Sequence, residues 1–367
     1  MLNSNYILIL FWCGLMGIVA LFVPQVYRSE KLIQEKVKRI SPIFAVIAVF
    51  PLVIWTGNRG NVGDTYAYID SFRKMPTSFA AIGEYLNTIT KDRGFYFCSA
   101  VIKCVIGNRE TIYFLILAAI QSYLLFKIYR KYSTRFLMSF FLFIASADYI
   151  SWMFNGVRQF TAATIVFACF PWILEKKYVR TIVIILLASL IHGSAIILLP
   201  FVFIAQGRAW NKKTLFFIFG VIAIIFFADR FTDILDTLLI DTQYENSLHS
   251  LEIQDDGTNA LRVLVYAMPV ILSLVGLRFI KKENSPIINI CTNMSIAATG
   301  FYIISMFTSG ILIGRLPVYF SLYNYILLPW EIDHMFTKRS AQLVYLIMIG
   351  AYLIYYYYQL HFAWSII

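Results

Sequence analysis

The chain has 367 residues, of which 60% are hydrophobic and 14% are charged, and its formal net charge is +11. An average soluble domain is about 45–50% apolar and about 25% charged. A composition this apolar leaves too little polar surface for a soluble globular protein, and it is equally unlike a disordered chain or a collagen-like repeat. It predicts an all-α, polytopic integral membrane protein.

Cysteine and histidine spacing excludes two kinds of site. The five cysteines are scattered without a CxxC pair, and the four histidines have no HxxxH or HxxH spacing. We therefore expect neither a disulfide framework nor a zinc site made only of protein ligands.

Apolar runs predict the membrane spans in chain order. The first begins at Tyr6 with no Lys or Arg before it, so we interpret it as a retained helix and not as a signal peptide. Counting two short runs as separate crossings gives about twelve spans. They are 6–26, 42–57, 111–128, 136–152, 159–174, 181–191, 194–205, 214–228, 263–280, 286–307, 316–333 and 341–358.

Six connections between these spans carry clusters of Lys and Arg. They are 27–41, 127–135, 175–180, 206–213, 278–285 and 334–340. They fall at every second connection, so the tendency of basic residues to stay inside puts all six in the cytoplasm and both termini outside. The net charge therefore reflects topology, and no nucleic-acid partner is implied.

Two segments are ambiguous on hydropathy. Residues 95–107 are apolar but short and contain Lys103, and a crossing there would move the 127–135 cluster outside. We predict a partly buried helix on the outer face instead. Residues 181–205 could form one long span, but two short helices meeting near His192 preserve the charge pattern. Neighbouring helices must shield such a hairpin from lipid, which is a usual place for a site.

Two predicted outer loops are long, 58–110 and 229–262. In the second, apolar residues over 234–239 repeat at helical spacing beside aspartates. This pattern is typical of an amphipathic helix lying on the membrane surface, and an ordinary acidic linker explains it equally well.

Four basic residues on the predicted outer side have no topological role. They are Arg59, Arg158, His192 and Arg315. Each lies at the end of a span, where a charge needs a partner. The acids expected at the same level are Asp64 and Asp148. Positive charge is then in excess, and a mobile anion would offset it.

Planar guanidinium groups suit phosphate oxygens, and two or three convergent arginines suit a pyrophosphate. Asp64 or His192 can serve as a general base. Each residue also has a structural interpretation: Arg59 can pair with Asp64, Arg315 can snorkel to the interface, and His192 can be a core histidine with satisfied hydrogen bonds. Five other outer basic residues are expected to be solvated: Arg73, Lys74, Lys91, Arg93 and Arg109.

Four short motifs, taken in order, resemble the EpsG family of Wzy-type bacterial polysaccharide polymerases. The first contains Arg59, Gly63, Asp64 and Thr65, followed by Tyr66 and Tyr68. The later ones are Asn155-Gly156 with Arg158-Gln159, then Ala188-Ser189-Leu190 with His192, Ser194 and Ala195, then Gly314-Arg315 with Tyr319-Phe320. The resemblance covers about residues 40–330.

This resemblance implies a single GT-C-like transmembrane domain over 1–367 that acts as a glycosyltransferase on the periplasmic face of the bacterial inner membrane. Its donor and acceptor would be oligosaccharide repeat units linked to undecaprenyl pyrophosphate, with no metal or cofactor, and a chain-length regulator is a possible partner. Arg59, Arg158 and Arg315 would bind pyrophosphate, and Asp64 or His192 would be catalytic. Three residues would support them: Asn155, Gln159 and Tyr319.

Two other functions remain open from the sequence. A GT-C transferase that uses a polyprenyl-monophosphate sugar would have a similar fold and an outer site. A lipid-linked oligosaccharide flippase would also have many spans, but its charges should line a midplane cavity between two related halves. Here the unusual charges lie at span ends and no halves repeat, which favours the enzyme.

Overall fold

The computed structural model describes residues 2–23, 26–29, 36–227, 257–310 and 312–366. The chain divides into two compact units, Met1–Ile196 with Ile332–Ile367, and Ile197–Glu331. The apolar motif predicted at 234–239 lies outside the described residues, so the amphipathic helix there stays a prediction, as does the single domain.

The first unit is built mainly of helices. Its elements up to the unit boundary are α1 (Leu2–Val19), β1 (Val26–Ser29), β2 (Lys36–Arg39), α2 (Pro42–Gly57), α3 (Thr65–Lys74), α4 (Ile82–Asn87), α5 (Arg93–Ile106), α6 (Glu110–Tyr132), α7 (Phe136–Ala145), α8 (Val157–Phe167), α9 (Phe170–Leu174) and α10 (Tyr178–Ile191). A π-helical turn, Ile150–Asn155, precedes α8. A 3-10 helix, Gly193–Ile197, begins after α10.

The second unit continues with α11 (Leu198–Ile204), α12 (Lys212–Phe226), α13 (Ala260–Val275), α14 (Leu277–Glu283), α15 (Pro286–Phe307), α16 (Val318–Ser321) and α17 (Asn324–Met335), whose last residues belong to the first unit. The chain ends with α18 (Lys338–Tyr358), in the first unit. Helix α15 is the centre of the second unit, because α12 and α13 both pack along it and most of its side chains are buried.

Three described helical stretches are long and apolar enough to cross a membrane: α6, α15 and Lys338–Ala363. The pair α13 and α14, bent by 69°, adds a fourth if it is a single span. Shorter apolar helices occupy several of the other predicted spans. A helical protein whose apolar helices are consistent with a membrane protein is thus confirmed, while twelve spans and a GT-C-like arrangement stay predictions.

One departure from the all-α prediction lies in the basic connection 27–41. Strands β1 and β2 pair antiparallel, with Val26 opposite Arg39 and Ser29 opposite Lys36. Hydropathy could not predict this hairpin, since short strands rich in charge carry no apolar run.

Helix α2 begins with proline at its first position, and the Ser41 hydroxyl accepts a hydrogen bond from the Phe44 amide at 3.1 Å. It ends at Gly57, where a Cβ atom would lie 2.3 Å from the Leu115 side chain. Glycine therefore lets the end of α2 approach α6 closely, and Arg59 follows two residues later.

The predicted outer segment 58–110 folds into α3, α4 and α5 against the first turns of α6. Phe72 of α3 stacks on Tyr113 of α6 with ring centroids 4.4 Å apart, and the hydroxyls of Ser99 and Tyr113 are 2.9 Å apart. Lys103 is buried, and its Nζ donates at 2.7 Å to each of the two carbonyls Phe72 O and Arg73 O. Burial lowers the pKa of Lys103. The predicted helix at 95–107 is confirmed as part of α5.

The two ends of α6 contact different parts of the chain. Near its last turn, Arg39 donates to Ser133 O, and Arg130 Nε donates to Ile40 O at 2.8 Å. The basic connections 27–41 and 127–135 therefore meet at one end of α6, as the alternation of charge predicts. At the other end, the segment 58–110 packs on Tyr113 and Phe114.

Candidate active site

An ion pair joins α8 to the segment before α5. Arg158 Nη1 lies 2.8 Å from Asp92 Oδ2, and the two side chains are only 25% and 12% exposed. The guanidinium also lies 5.8 Å from the centroid of the Tyr96 ring. The Arg158 amide donates to the Tyr68 hydroxyl at 3.4 Å. Arg158 is thus held at the start of α8 by contacts from α3 and α5.

Asp92 connects this ion pair to the segment that contains His192. Its backbone is left-handed, with φ of 53°, and its second carboxylate oxygen, Oδ1, accepts a hydrogen bond from the Gly193 amide at 3.2 Å. One carboxylate therefore fixes both Arg158 and the break after α10. This corrects the expectation that Asp64 and Asp148 are the acids at this level, because the partner of Arg158 is Asp92.

The predicted break near His192 is confirmed. Helix α10 ends at Ile191, and His192 has extended backbone angles. The Ser194 amide donates to His192 Nδ1 at 3.3 Å, and the Ser194 hydroxyl lies 2.8 Å from the same nitrogen. Gln159 Nε2 in turn donates to the Ser194 hydroxyl at 3.1 Å.

This chain of hydrogen bonds sets the chemistry of the imidazole. Because the Ser194 amide is a donor, Nδ1 of His192 must be the acceptor, and in the neutral ring the proton resides on Nε2. The neutral imidazole then offers a donor at Nε2. Gln159, predicted as a supporting residue, is connected to His192 through the Ser194 hydroxyl.

Arg59 holds the end of α2 against the turn before α8. Its Nε donates to Thr56 O at 2.9 Å, and its Nη1 donates to Met153 O at 2.7 Å. The guanidinium lies over the Phe114 ring, 4.2 Å from the centroid, and burial lowers the pKa of Arg59 to about 10. Its Nη2 is buried and has no hydrogen-bond partner among the described residues.

Asp64 comes next to this arginine in sequence but does not pair with it. Its carboxylate is exposed and makes no hydrogen bond within the described part of the chain. Its backbone amide donates to Asn155 Oδ1 at 3.2 Å. Gly63 has φ of +56°, and a Cβ there would lie 2.9 Å from Asn155 Oδ1. Asn155 therefore positions the turn that presents Asp64.

Three other residues of interest are Asp148, Arg315 and Tyr319. Asp148 is fully buried. Arg315 is half-buried at the end of the 3-10 helix Ile313–Arg315, and Tyr319 is buried in α16; both belong to the second unit. Position 314, just before Arg315, has no room for a side chain, since a Cβ atom there would lie 2.7 Å from the Thr258 hydroxyl.

Two of the basic residues expected to be solvated form surface ion pairs. Arg73 pairs with Glu110 at 2.7 Å, and Lys74 pairs with Asp70 at 2.6 Å. They do not contribute to the cluster around Arg158.

The residue that sequence reasoning missed is Asp92. It stands between Lys91 and Arg93 in a short charged run, which is the usual pattern of a solvated loop. A signal in the sequence could have led to it. Arg158 has no acidic neighbour in its own motif, so it requires a carboxylate from another segment. Asp92 is one of the acids in the predicted outer segment 58–110.

The family comparison agrees with the four motifs. The sequence profile of the EpsG family matches residues 42–365. The chain belongs to the EpsG family. EpsG-type proteins are Wzy-like polysaccharide polymerases, so the family implies an enzyme of the glycosyltransferase kind that acts in exopolysaccharide synthesis. No curated protein and no solved structure is significantly similar to this chain.

All the site residues named above lie inside the matched part of this EpsG-family chain. The match begins at Pro42, the first residue of α2, so it includes Arg59 and everything that contacts it. It omits α1 and both strands.

Proposed function

We propose that this EpsG-family protein joins oligosaccharide repeat units carried on undecaprenyl pyrophosphate, at the periplasmic face of the bacterial inner membrane. A growing glycan is transferred from its carrier to the non-reducing end of a second lipid-linked repeat unit. The reaction uses no nucleotide sugar. A chain-length regulator is a proposed partner.

The observation that carries this proposal is the convergence of Arg158, Asp92 and the Gly193 amide at the same end of the first unit. Asp92 holds the guanidinium in a fixed orientation, and a fixed planar donor is what bidentate recognition of a phosphate requires. The cluster lies where α8 begins and α10 ends, and the ends of membrane helices are where we expect the pyrophosphate of a membrane-bound carrier.

Arg158 is proposed to bind the donor pyrophosphate and to offset its charge as it leaves. Pyrophosphate binding by Arg315, which belongs to the second unit, stays a separate proposal. The Nη2 atom of Arg59, which has no hydrogen-bond partner among the described residues, is proposed as a further donor to a phosphate oxygen. Its Nε and Nη1 atoms remain hydrogen-bonded to the carbonyls of Thr56 and Met153. His192, with its proton on Nε2, is proposed to donate to a phosphate or a sugar hydroxyl.

Asp64 is proposed as the general base. The acceptor hydroxyl attacks the anomeric carbon of the donor glycan, its proton goes to the Asp64 carboxylate, and the bond between the anomeric carbon and the pyrophosphate oxygen breaks. Asp64 is favoured over His192 because its carboxylate is exposed, whereas Nδ1 of His192 already accepts the Ser194 amide.

The first test is a gel of surface polysaccharide from a strain that lacks the protein. We expect a single repeat unit on its lipid anchor, with the ladder restored by the wild-type protein and not by Arg158→Ala. Loss of even the single repeat would contradict polymerisation and indicate an earlier transferase or a flippase.

A second test separates the two candidate bases. Asp64→Asn should abolish the ladder while leaving the amount of protein in the membrane unchanged, because the side chain bonds to nothing around it. His192→Gln, which keeps a hydrogen-bond donor, should retain part of the activity. The opposite ranking would assign the base to His192.

A further inference from the structure

A second arginine cluster lies at the other end of α6 from the candidate active site. A cavity of about 460 Å³ is lined by Arg39 of β2, Arg130 of α6 and Arg135, which precedes α7. Arg130 is 16 residues beyond Phe114, which contacts Arg59, so the two clusters are about 24 Å apart along the helix.

The cavity is a built site and not a set of solvated side chains. The Arg39 guanidinium is 6% exposed and donates to Ser133 O. Arg130 Nε donates to Ile40 O at 2.8 Å. Backbone carbonyls from two different connections thus orient two cations toward one space.

One carboxylate shares the cavity with these three arginines. Arg135 Nε lies 2.8 Å and 3.0 Å from the two oxygens of Asp333, and the Tyr345 hydroxyl donates to the same carboxylate at 3.1 Å. The guanidinium of Arg135 also lies 4.7 Å from the centroid of the Tyr345 ring. The Arg135 side chain is nevertheless 54% exposed and so accessible to a ligand.

Apolar residues complete the lining. Phe136, Leu137 and Met138 of α7 and Gly17 of α1 border the same space. A ligand that fits must therefore combine an anionic group for the arginines with a hydrocarbon portion for the α7 side chains.

We propose that this cavity binds the phosphate of an anionic phospholipid, with its acyl chains against α7. Charged headgroups of membrane lipids and basic cavities between helices are complementary in this way. Guanidinium groups match phosphate oxygens in geometry as well as in charge. The proposal is independent of the polymerase function, because the cavity shares no residue with the candidate active site.

The test uses the full-length protein, purified in a neutral detergent and titrated with dioleoyl phosphatidylglycerol, dioleoyl phosphatidylcholine or inorganic phosphate. Native mass spectrometry counts the bound lipids. We expect phosphatidylglycerol to bind more tightly than phosphatidylcholine. Arg135→Gln should weaken its binding about tenfold, as expected for loss of a charge-assisted hydrogen bond.

Asp333→Asn is the second variant, and it distinguishes binding from mere support of the fold. Removal of the carboxylate should strengthen phosphatidylglycerol binding, whereas a structural role would make Asp333→Asn and Arg135→Gln fail together. Arg180→Gln, an exposed charge outside the cavity, is the matched control and should change nothing.

Equal binding of phosphatidylglycerol and phosphatidylcholine overturns the proposal, as does equal weakening by Arg135→Gln and Arg180→Gln. If inorganic phosphate alone binds and Arg135→Gln abolishes that binding, the cavity takes a soluble anion and the phospholipid proposal is overturned. If only the phospholipid binds in this arginine-dependent way, the source is the membrane.

Discussion

Arg158 and Asp92 are 66 residues apart in the sequence, and their side chains form an ion pair with an Nη1–Oδ2 distance of 2.8 Å. The pair crosses from the start of α8 to the segment before α5. It gives the half-buried Arg158 guanidinium one fixed orientation. The same carboxylate accepts a hydrogen bond from the Gly193 amide and so also fixes the segment that contains His192.

Asp92→Asn should abolish polymerisation, although Asp92 itself is proposed to contact no substrate. The amide keeps a hydrogen-bond acceptor but loses the charge that orients Arg158. A double-mutant cycle with Arg158→Gln on thermal stability should give a coupling of about 1–3 kcal/mol, typical of residues in direct contact. Additive effects of the two substitutions would show that the pair does not act as a unit.

Gly193 offers a matched pair of substitutions. A Cβ at this position meets nothing within 4 Å, so Gly193→Ala should retain the ladder. Gly193→Pro is compatible with the extended backbone of His192 before it, yet it removes the amide that donates to Asp92. We expect a loss of about 1.5–3 kcal/mol in thermal stability and a weak ladder. Equal behaviour of the two variants would exclude a role for this hydrogen bond.

Gly63→Ala tests the turn that presents Asp64. A side chain in this left-handed backbone costs about 1–2 kcal/mol, and the new Cβ would also press on Asn155 Oδ1. We expect a lower melting temperature and shorter glycan chains on the gel. Gly83→Ala in α4, where a Cβ has open space, is the control and should leave both unchanged or slightly raise stability.

Ser194→Ala breaks the chain of hydrogen bonds from Gln159 to His192. With the hydroxyl gone, the imidazole loses a hydrogen-bond partner at Nδ1, and the rate of polymerisation by purified protein should fall about five- to tenfold. Ser189→Ala, which removes a hydroxyl bonded only to Leu186 O within α10, should leave the rate unchanged.

Cys98 provides a test of which side the site faces. It is exposed in α5, whereas three of the other cysteines are buried and Cys104 is half-buried. A membrane-impermeant maleimide should label intact spheroplasts, and Cys98→Ser should remove the signal. Partial burial raises the pKa of the Cys98 thiol, so labelling should accelerate as the pH rises toward that pKa. Labelling only after lysis would place this end of α6 in the cytoplasm.

Much of the helical layout follows from the sequence. Apolar runs locate α2, α6, α10 and α15 within a few residues, because burial in lipid or protein imposes a continuous apolar stretch. The break at His192 was also predictable, since one long helix would have misplaced the charges that follow it.

The contacts between distant segments were not predictable in the same way. Asn155 and Asp64 were both proposed as site residues, but only the fold brings the Asn155 side chain to the Asp64 amide. Asp92 was overlooked because neither periodicity nor hydropathy reports which loop returns to which helix end. The sequence also did not reveal that Arg39 and Arg135, which belong to basic connections predicted to face the cytoplasm, line one cavity.

Helix α6 runs from Glu110 to Tyr132 without a break, and its 23 residues are about 34 Å long. It separates the candidate active site from the arginine cavity by about 24 Å along the helix axis, a distance that the protein cannot easily change. The hydrocarbon layer of a typical bilayer is about 30 Å thick. In membranes of much shorter or longer acyl chains, the proposed pyrophosphate at Arg158 and the proposed lipid phosphate in the arginine cavity would then not both lie level with the arginines that bind them. This chain should therefore be sensitive to the thickness of the membrane that surrounds it.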